Sequence, residues 1–366
     1  MALRNTAPPQ FGRSPHLVEL VAEVERLAAS LAAAPERDRH ELGLRRADEV
    51  VLATLILDGA EGDALPGAEE AAAALATAAP VEPDPNDRRG AWLDMLRVFD
   101  TPSDREIRAL EVLGARAGDA SDDLTAALLS DPGPALAELH RRLTRGLVTD
   151  QRAGAPRITE QAVHDGSTGR VVFFTAEPAD VPGELALLEA WLSSAGTREH
   201  GLIVSGVLHL ELLRIHPYDA ANGRLARAAA RLVLRARGLD PDHLAVPEPT
   251  LARDAMGYVE EVARTLRRRD LTIWLERWGE AVADGLRSSA RDLGLLDTEV
   301  TEEASAFVVA RPTFTLADHR AELALSPAEG REQLQRLLDS GLVARQPGTR
   351  GLRFVARSRG RNDDPT

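Results

Sequence analysis

Apolar residues recur at helical spacing through most of this chain, and only one segment ahead of the C-terminal region has the signature of a β-hairpin. That imbalance points to an all-α fold. From Pro15 to about Leu57 the pattern runs Leu17, Leu20, Val21, Val24, Leu27, Leu31, then Val50, Leu52, Leu55 and Ile56. Further helical stretches are predicted at about 91–130, 134–148, 182–194, 199–215, 222–237 and 251–290, with breakers at Asp131–Pro134. The exception is Val163–Thr175, whose two β-prone ends flank Asp-Gly and Thr-Gly. Aromatic residues make up only 4% of the chain, so Ala, Leu and Val must fill the core, which favours helices.

With 366 residues, two or three domains are expected. Residues 1–15 are polar and Pro-rich, and 59–90 are rich in Ala, Gly, Asp and Pro. The chain has no Cys, which removes disulfides, thiolate zinc sites, iron–sulfur clusters and Cys nucleophiles. It has no Lys either, since all 44 basic residues are Arg. A P-loop lysine, a Schiff-base lysine and a pyridoxal-phosphate anchor are therefore excluded. The net charge of −14 argues against general nucleic-acid binding, though a local basic face is compatible with it. The N-terminus has no apolar h-region, and the longest apolar stretch, Gly201–Leu213, is too short to span a bilayer. The expectation is a cytoplasmic protein without a membrane partner.

The most informative stretch is Arg214-Ile-His-Pro-Tyr-Asp-Ala-Ala-Asn-Gly-Arg-Leu-Ala-Arg227. An apolar helix should end near His216, because the residue before a proline is biased out of helical geometry. Asn222-Gly223 is a turn or cap signal, and a strongly helical Ala/Leu/Arg run follows. The local picture is helix, tight loop, helix, with free N–H donors at the second helix start that attract anions. Arg224 and Arg227 share nearly one helix face, and two guanidiniums there suit a di- or triphosphate. His216 at the loop entrance is a candidate general base.

At this spacing the stretch resembles the Fic-domain family motif H-x-F-x-[D/E]-G-N-G-R-x-x-R. His216, Asn222, Gly223, Arg224 and Arg227 match it. Leu136–His140 with Ala153–Arg157, the hairpin near 163–175, Trp191 and Asp270–Trp274 extend the similarity over about 135–285. The resemblance implies transfer of part of a nucleotide, most often AMP from ATP, to a protein hydroxyl. His216 would deprotonate the hydroxyl. Asn222, Gly223 and Arg224 would hold the α- and β-phosphates, and Arg227 would meet the γ-phosphate. Val172, Phe173, Phe174 and Thr175 would form a flap that aligns the target protein as an added strand.

Two departures from the motif matter, and a third, Tyr218 for Phe, is milder because it keeps the ring and adds a hydroxyl. The motif's acidic residue, which in the family holds Mg2+, is Ala220 here, and Asp219 lies one residue early as the remaining candidate metal ligand. Its first Gly is Ala221, and if that position needs positive φ, Ala costs about 1 kcal/mol or more. Thr54-Leu-Ile-Leu-Asp58-Gly59 resembles the family's inhibitory motif [S/T]-x-x-x-E-[G/N], whose Glu pairs with the second motif arginine, here Arg227. Asp58 is one methylene shorter than Glu, about 1.5 Å less reach, so a weakened or absent bridge is expected.

The last part, about 295–357, reads as three short helices and an Arg-rich hairpin. Thr313–Ser326 is predicted as a short helix, a turn and a cap, with Pro327 opening the next helix. This segment resembles a winged helix. From Gly341 to Arg361 there are six Arg and no acids, a basic island suited to phosphate contacts. The resulting plan is an N-terminal helical region with the inhibitory-type helix (1–133), a Fic-type core with a flap hairpin (134–290), a winged helix-turn-helix domain (295–358) and a tail (359–366). The expected function is protein nucleotidyl transfer using ATP, impaired by Ala220 at the Mg2+ position. The alternative is a non-enzymatic, nucleotide-sensing regulator with a DNA- or protein-binding winged helix. A target protein, DNA and a second copy of the chain are the candidate partners. His216 favours the enzyme; Ala220 and Ala221 favour the sensor.

Overall fold

The computed structural model describes residues 10–59, 104–164, 170–346 and 352–357. The hairpin tip around Asp165 to Gly169, the start of the helix predicted at 91–130, the tip of the Arg-rich hairpin with Arg350, and the tail lie outside the described residues. The described chain is helical with two small antiparallel sheets.

The elements are α1 (Pro15–Ala32), α2 (Glu36–Leu57), α3 (Asp104–Asp119), α4 (Thr125–Ser130) and α5 (Pro132–Leu143). The hairpin β1 (Ala162–His164) and β2 (Val171–Phe174) follows, then α6 (Val181–Ser193), α7 (Gly201–Ile215) and α8 (Asn222–Ala236). Next come α9 (Glu248–Ala252), α10 (Ala255–Arg268) and α11 (Thr272–Asp292). The C-terminal module has α12 (Glu302–Ala310), β3 (Thr313–Thr315), α13 (Leu316–Glu322), α14 (Pro327–Asp339), β4 (Val343–Gln346) and β5 (Arg353–Ala356).

Every residue of α7 is buried, as expected for a helix that is apolar all round. It is the axis of the protein. α8 packs along it, and α11 crosses it through Trp274 and Trp278, whose indole N–H groups donate to the Gly206 carbonyl (2.7 Å) and Ser205 Oγ (2.8 Å). Gly206 lets the tryptophans approach, since a Cβ there would lie 2.8 Å from Trp278. α1 starts with Ser14 capping Leu17 N–H and lays Leu17, Leu20, Val24, Leu27 and Leu31 against α11. Two predicted helices are interrupted. The 91–130 stretch breaks after Asp119, whose carboxylate is held by Arg231 and Arg235 of α8. The 251–290 stretch breaks at Asp254, which caps Gly257 N–H, and at Arg269, which is left-handed (φ 56°).

The C-terminal module has its own core of Phe307, Phe314, Leu334, Leu337, Leu338, Val343 and Phe354. Its strands run in the order β3-β5-β4, all antiparallel. Thr313–Thr315 is therefore a strand and not the start of a helix. Its β-branched and aromatic side chains suit the pleat, and Thr315 then caps α13 in a reciprocal box with Asp318. Ser326 and Glu329 form the same box around Pro327. Among the described residues no helix is long and apolar enough to cross a membrane.

Candidate functional site

The site is the bend between α7 and α8. His216 ends α7 in the left-handed region (φ 47°, ψ 66°), and the proline behind it prevents the helix from continuing. Its Nδ1 lies 2.6 Å from the Leu213 carbonyl, which can only accept, so the proton sits on Nδ1 and the lone pair on Nε2. Burial pushes the imidazole pKa down to about 4, keeping the ring neutral near pH 7. Phe173 of β2 meets this ring edge-on, with centroids 6.4 Å apart.

The loop itself is closed by Asn222. Its Oδ1 accepts from Tyr218 N–H (3.0 Å), and its Nδ2 donates to the Tyr218 carbonyl (2.7 Å). Beneath the loop, His140 of α5 stacks on Tyr218 at 4.2 Å. His140 Nδ1 accepts from Gly154 N–H (2.8 Å), so Nε2 carries the proton and donates to the Ala220 carbonyl (3.1 Å). Burial lowers this imidazole to about 3. Ala221 adopts φ 56°, the strained conformation its position in the motif raised as a concern. Ala221→Gly is expected to stabilise the protein by about 0.5–1 kcal/mol, strain relief less the added backbone entropy of the unfolded chain. Urea unfolding would read this as a higher midpoint at unchanged slope.

Both imidazoles lie below the ordinary histidine value of 6.5 when folded. The unfolded chain therefore binds protons first as pH falls, and stability present above 6.5 is progressively lost toward pH 3–4. Thermal melts from pH 7 down to 4.5 should show this loss, and it should be smaller in His140→Phe than in the parent.

The two motif arginines lie beyond the loop, in the first turns of α8. Ala221 at the helix N-cap supplies no side-chain hydrogen bond to that end. Arg227 is buried; its Nε donates to Thr54 Oγ1 (2.6 Å), and its Nη2 to the Thr54 carbonyl (3.0 Å) and Asp58 Oδ1 (2.6 Å). Burial opposes the Arg227 charge, but the Asp58 carboxylate outweighs it and raises the pKa. The bridge expected to be weak is thus formed at full hydrogen-bond contact. Asp58 makes up its missing methylene by position: it caps the C-terminus of α2, followed by Gly59 at φ 88°, and sits directly over Gly223. A Cβ on Gly223 would fall 2.8 Å from Asp58 Oδ1, so the glycine admits the carboxylate.

Arg224 is held more loosely. Asp58 Oδ2 lies 3.3 Å from its Nε, and Glu111 Oε1 of α3 lies 3.3 Å from its Nη2. Neither Nε nor Nη1 has a hydrogen-bond partner, although both are buried. Glu111 carries no motif signal in the sequence; only the packing of α3 brings it here.

Asp219 is placed elsewhere. Its Oδ2 is bound by Arg152 (2.6 Å to Nε), and burial raises its pKa against the pull of Arg152. Its Oδ1 is buried without a hydrogen bond. Among the described residues no group of three or more His, Asp or Glu is arranged to hold a metal ion.

The hairpin adjoins the bend. Thr175 is buried, Val172 half-buried, and Phe174 and Ile158 are exposed, at 70% and 68%. β1 and β2 pair antiparallel, Ala162 opposite Phe174 and Val163 opposite Phe173, with a register shift before His164. Arg157, buried to 1% exposure, ties this hairpin to the bend. Its guanidinium donates to the carbonyls of His216 (2.5 Å), Ile215 (3.2 Å) and Ala176, and to Thr175 Oγ1 (3.0 Å). Its backbone N–H donates to the Pro217 carbonyl (2.9 Å). Burial lowers its pKa to about 10. Arg157 and His140 are positioning residues; a lone Arg and a lone His carry no periodicity that would single them out.

Residues 134–234 match the family model described as Fic/DOC. The crystal structure of a Fic family protein from Desulfovibrio desulfuricans G20 aligns at 22% identity and TM-score 0.58, covering 97% of this chain and 99% of that one. Fic-1 from C. elegans aligns at 19% identity and TM-score 0.48 over 76% of this chain and 72% of that one. A Fic-domain-containing signaling protein from Bacteroides thetaiotaomicron VPI-5482 aligns at 16% and 0.49, over 75% and 97%. No curated protein sequence matches the chain. Residues 134–234 are a Fic/DOC-family domain, set in a helical fold shared with the Desulfovibrio Fic family protein.

Proposed function

We propose that the α7–α8 bend binds the polyphosphate of a nucleotide and that the domain transfers AMP from ATP to a hydroxyl of a target protein, with Asp58 as a built-in competitor of the phosphates. The observation that carries this reading is Arg224. A buried guanidinium whose Nη1 has no hydrogen-bond partner, and whose Nε has only the 3.3 Å approach of Asp58, is costly unless an anion completes it. Asp58 already stands as a carboxylate against Arg227, where a terminal phosphate would bind.

In the proposed step the target oxygen attacks the α-phosphorus and pyrophosphate departs. The hydroxyl proton passes to His216 Nε2, the ring nitrogen left basic by the Leu213 bond. The target segment would lie along the hairpin, with Phe174 and Ile158 offering apolar contact. Magnesium does not fit the motif's acidic position: Ala220 has no carboxylate, and Asp219 is engaged by Arg152. Charge stabilisation is therefore assigned to Arg224, Arg227 and the N–H groups at the start of α8.

The reading is tested by incubating the Asp58→Ala protein with a lysate and ATP labelled at either the α- or the γ-phosphate. Protein-bound label from α-labelled ATP only is the expected result. Label from γ-labelled ATP alone would assign a different group transfer, and no label with no ATP binding would remove the reading.

The regulator alternative gains little support from the basic island. We propose a winged helix for 295–358 on the β3-β5-β4 order, but Arg345 pairs with Glu23 (2.6 Å) and Arg357 with Asp284 (2.6 Å), both carboxylates of the core. Those cations dock the module on α1 and α11 and do not face a duplex.

A further inference from the structure

Away from the bend, a cleft of about 770 Å3 opens where the C-terminal module meets the end of α11. Its walls come from both bodies. The core supplies Arg253 and Arg291, and the module supplies Ser305, Ser340 and Arg357. Val300, Leu342 and Ala356 add apolar surface, and among the described residues no acidic side chain lines it. Among the described residues, the carboxylate in contact with these arginines is Asp284, shared between Arg253 (3.0 Å) and Arg357 (2.6 Å). It is also 3.5 Å from Arg287, which pairs in addition with Glu23 (2.5 Å) and Asp339 (3.4 Å), so Arg253, Arg291 and Arg357 share Asp284 while Arg287 has acids of its own.

The arginines are held in place rather than loosely displayed. Arg291 donates through Nε to the Asp339 carbonyl (2.6 Å), leaving Nη2 buried with no hydrogen-bond partner. Arg357 donates through Nη2 to Asp284 and leaves Nε in the same condition. The Arg291 guanidinium rests against Gly341, where a Cβ would lie 3.0 Å from Cζ and 3.1 Å from both terminal nitrogens. Gly341 is at φ 77°, so backbone conformation and close approach both call for glycine at this point. Burial, together with repulsion from Arg357 and Arg287, pulls the Arg291 pKa down in spite of Asp284. An anion bound here would relieve that repulsion.

We propose that this cleft is a second ligand site, separate from the α7–α8 bend, which binds an organic phosphate: the phosphate against Arg291, Arg357 and Arg253, the organic part along Val300, Leu342 and Ala356. The volume falls within the range of small-molecule pockets. Because both bodies supply donors, the ligand ties the C-terminal module to the core.

The test uses the full chain with phenyl phosphate and inorganic phosphate as probes, read by titration calorimetry and thermal melting. Phenyl phosphate is expected to bind, to bind more tightly than inorganic phosphate, and to raise the melting temperature. Ser305→Glu sets a carboxylate among the arginines without deleting any of their bonds, and should weaken phenyl phosphate at least about tenfold. Arg253→Ala removes a half-exposed donor and should weaken it about threefold. Both variants should keep the parent's circular dichroism, and Arg224→Ala at the bend should leave this binding in place. Phenyl phosphate affinity unchanged in Ser305→Glu, abolished only in Arg224→Ala, or no tighter than that of inorganic phosphate would overturn the proposal.

Discussion

Replacing Asp58 by Ala is expected to tighten ATP binding by ten- to a hundredfold, about 1.4–2.8 kcal/mol. The reason is competition for donors. Asp58 occupies Arg227 Nη2 at 2.6 Å and stands 3.3 Å from Arg224 Nε, so phosphates must displace it before they can use Arg227 and the Nε edge of Arg224. Without the carboxylate, Arg227 keeps the two oxygens of Thr54, and Arg224 keeps Glu111. Two buried cations short of an acid make the ligand-free variant less stable, and ATP should restore much of that loss. The expected pattern is thus a lower melting temperature without nucleotide and a larger upward shift with it. Asp58→Asn separates charge from shape: it keeps an oxygen near Arg227 but removes the negative charge, and should reproduce most of the gain in affinity. Equal ATP dissociation constants for parent, Asp58→Ala and Asp58→Asn, all folded, would show that the carboxylate does not compete with phosphate.

Replacing His216 by Asn is expected to lower transfer by about 10²–10⁴-fold while ATP affinity stays within about twofold. Asn is the informative replacement because it tolerates the left-handed conformation that position 216 adopts, whereas most residues would strain it. It cannot take up a proton at the target oxygen. With the base pKa near 4, the rate of the parent should be flat from neutral pH down to about 5 and fall as the imidazole is protonated below that. A full rate in His216→Asn, measured on the Asp58→Ala background, would take the base role away from this residue.

The arrangement of the bend was legible because it is local. Pro217 after His216, Asn-Gly at 222–223 and arginines three apart on a helix dictate the chain's path over a few residues, and the structure follows it. The concern over Ala221 was legible for the same reason, since a motif glycine at a helix N-cap signals positive φ. Strand β3 was not: Thr313-Phe-Thr is too short for a periodic signal, and only its pairing with β5 defines it.

The residues that complete the site were less legible. Glu111 and Asp58 come from helices more than a hundred residues upstream of Arg224, and Arg157 reaches the His216 carbonyl across 59 residues of chain. The reach of Asp58 could not be judged from side-chain length, because the cap of α2 and the missing Cβ of Gly223 decide it.

The use of the C-terminal arginines shows the same limit. A run of six Arg without acids suggests a phosphate-facing surface, yet the carboxylates that engage Arg345 and Arg357 lie on α1 and α11. By itself, then, the chain's pattern of apolar spacing, breakers and motif residues determined most of the helices and the bend that brings His216, Arg224 and Arg227 together, because these depend on neighbours within a turn or two. Which carboxylate meets which guanidinium was decided only by packing, because charges choose partners by distance in space, and burial in a low-dielectric interior makes those choices stronger than anything visible along the chain.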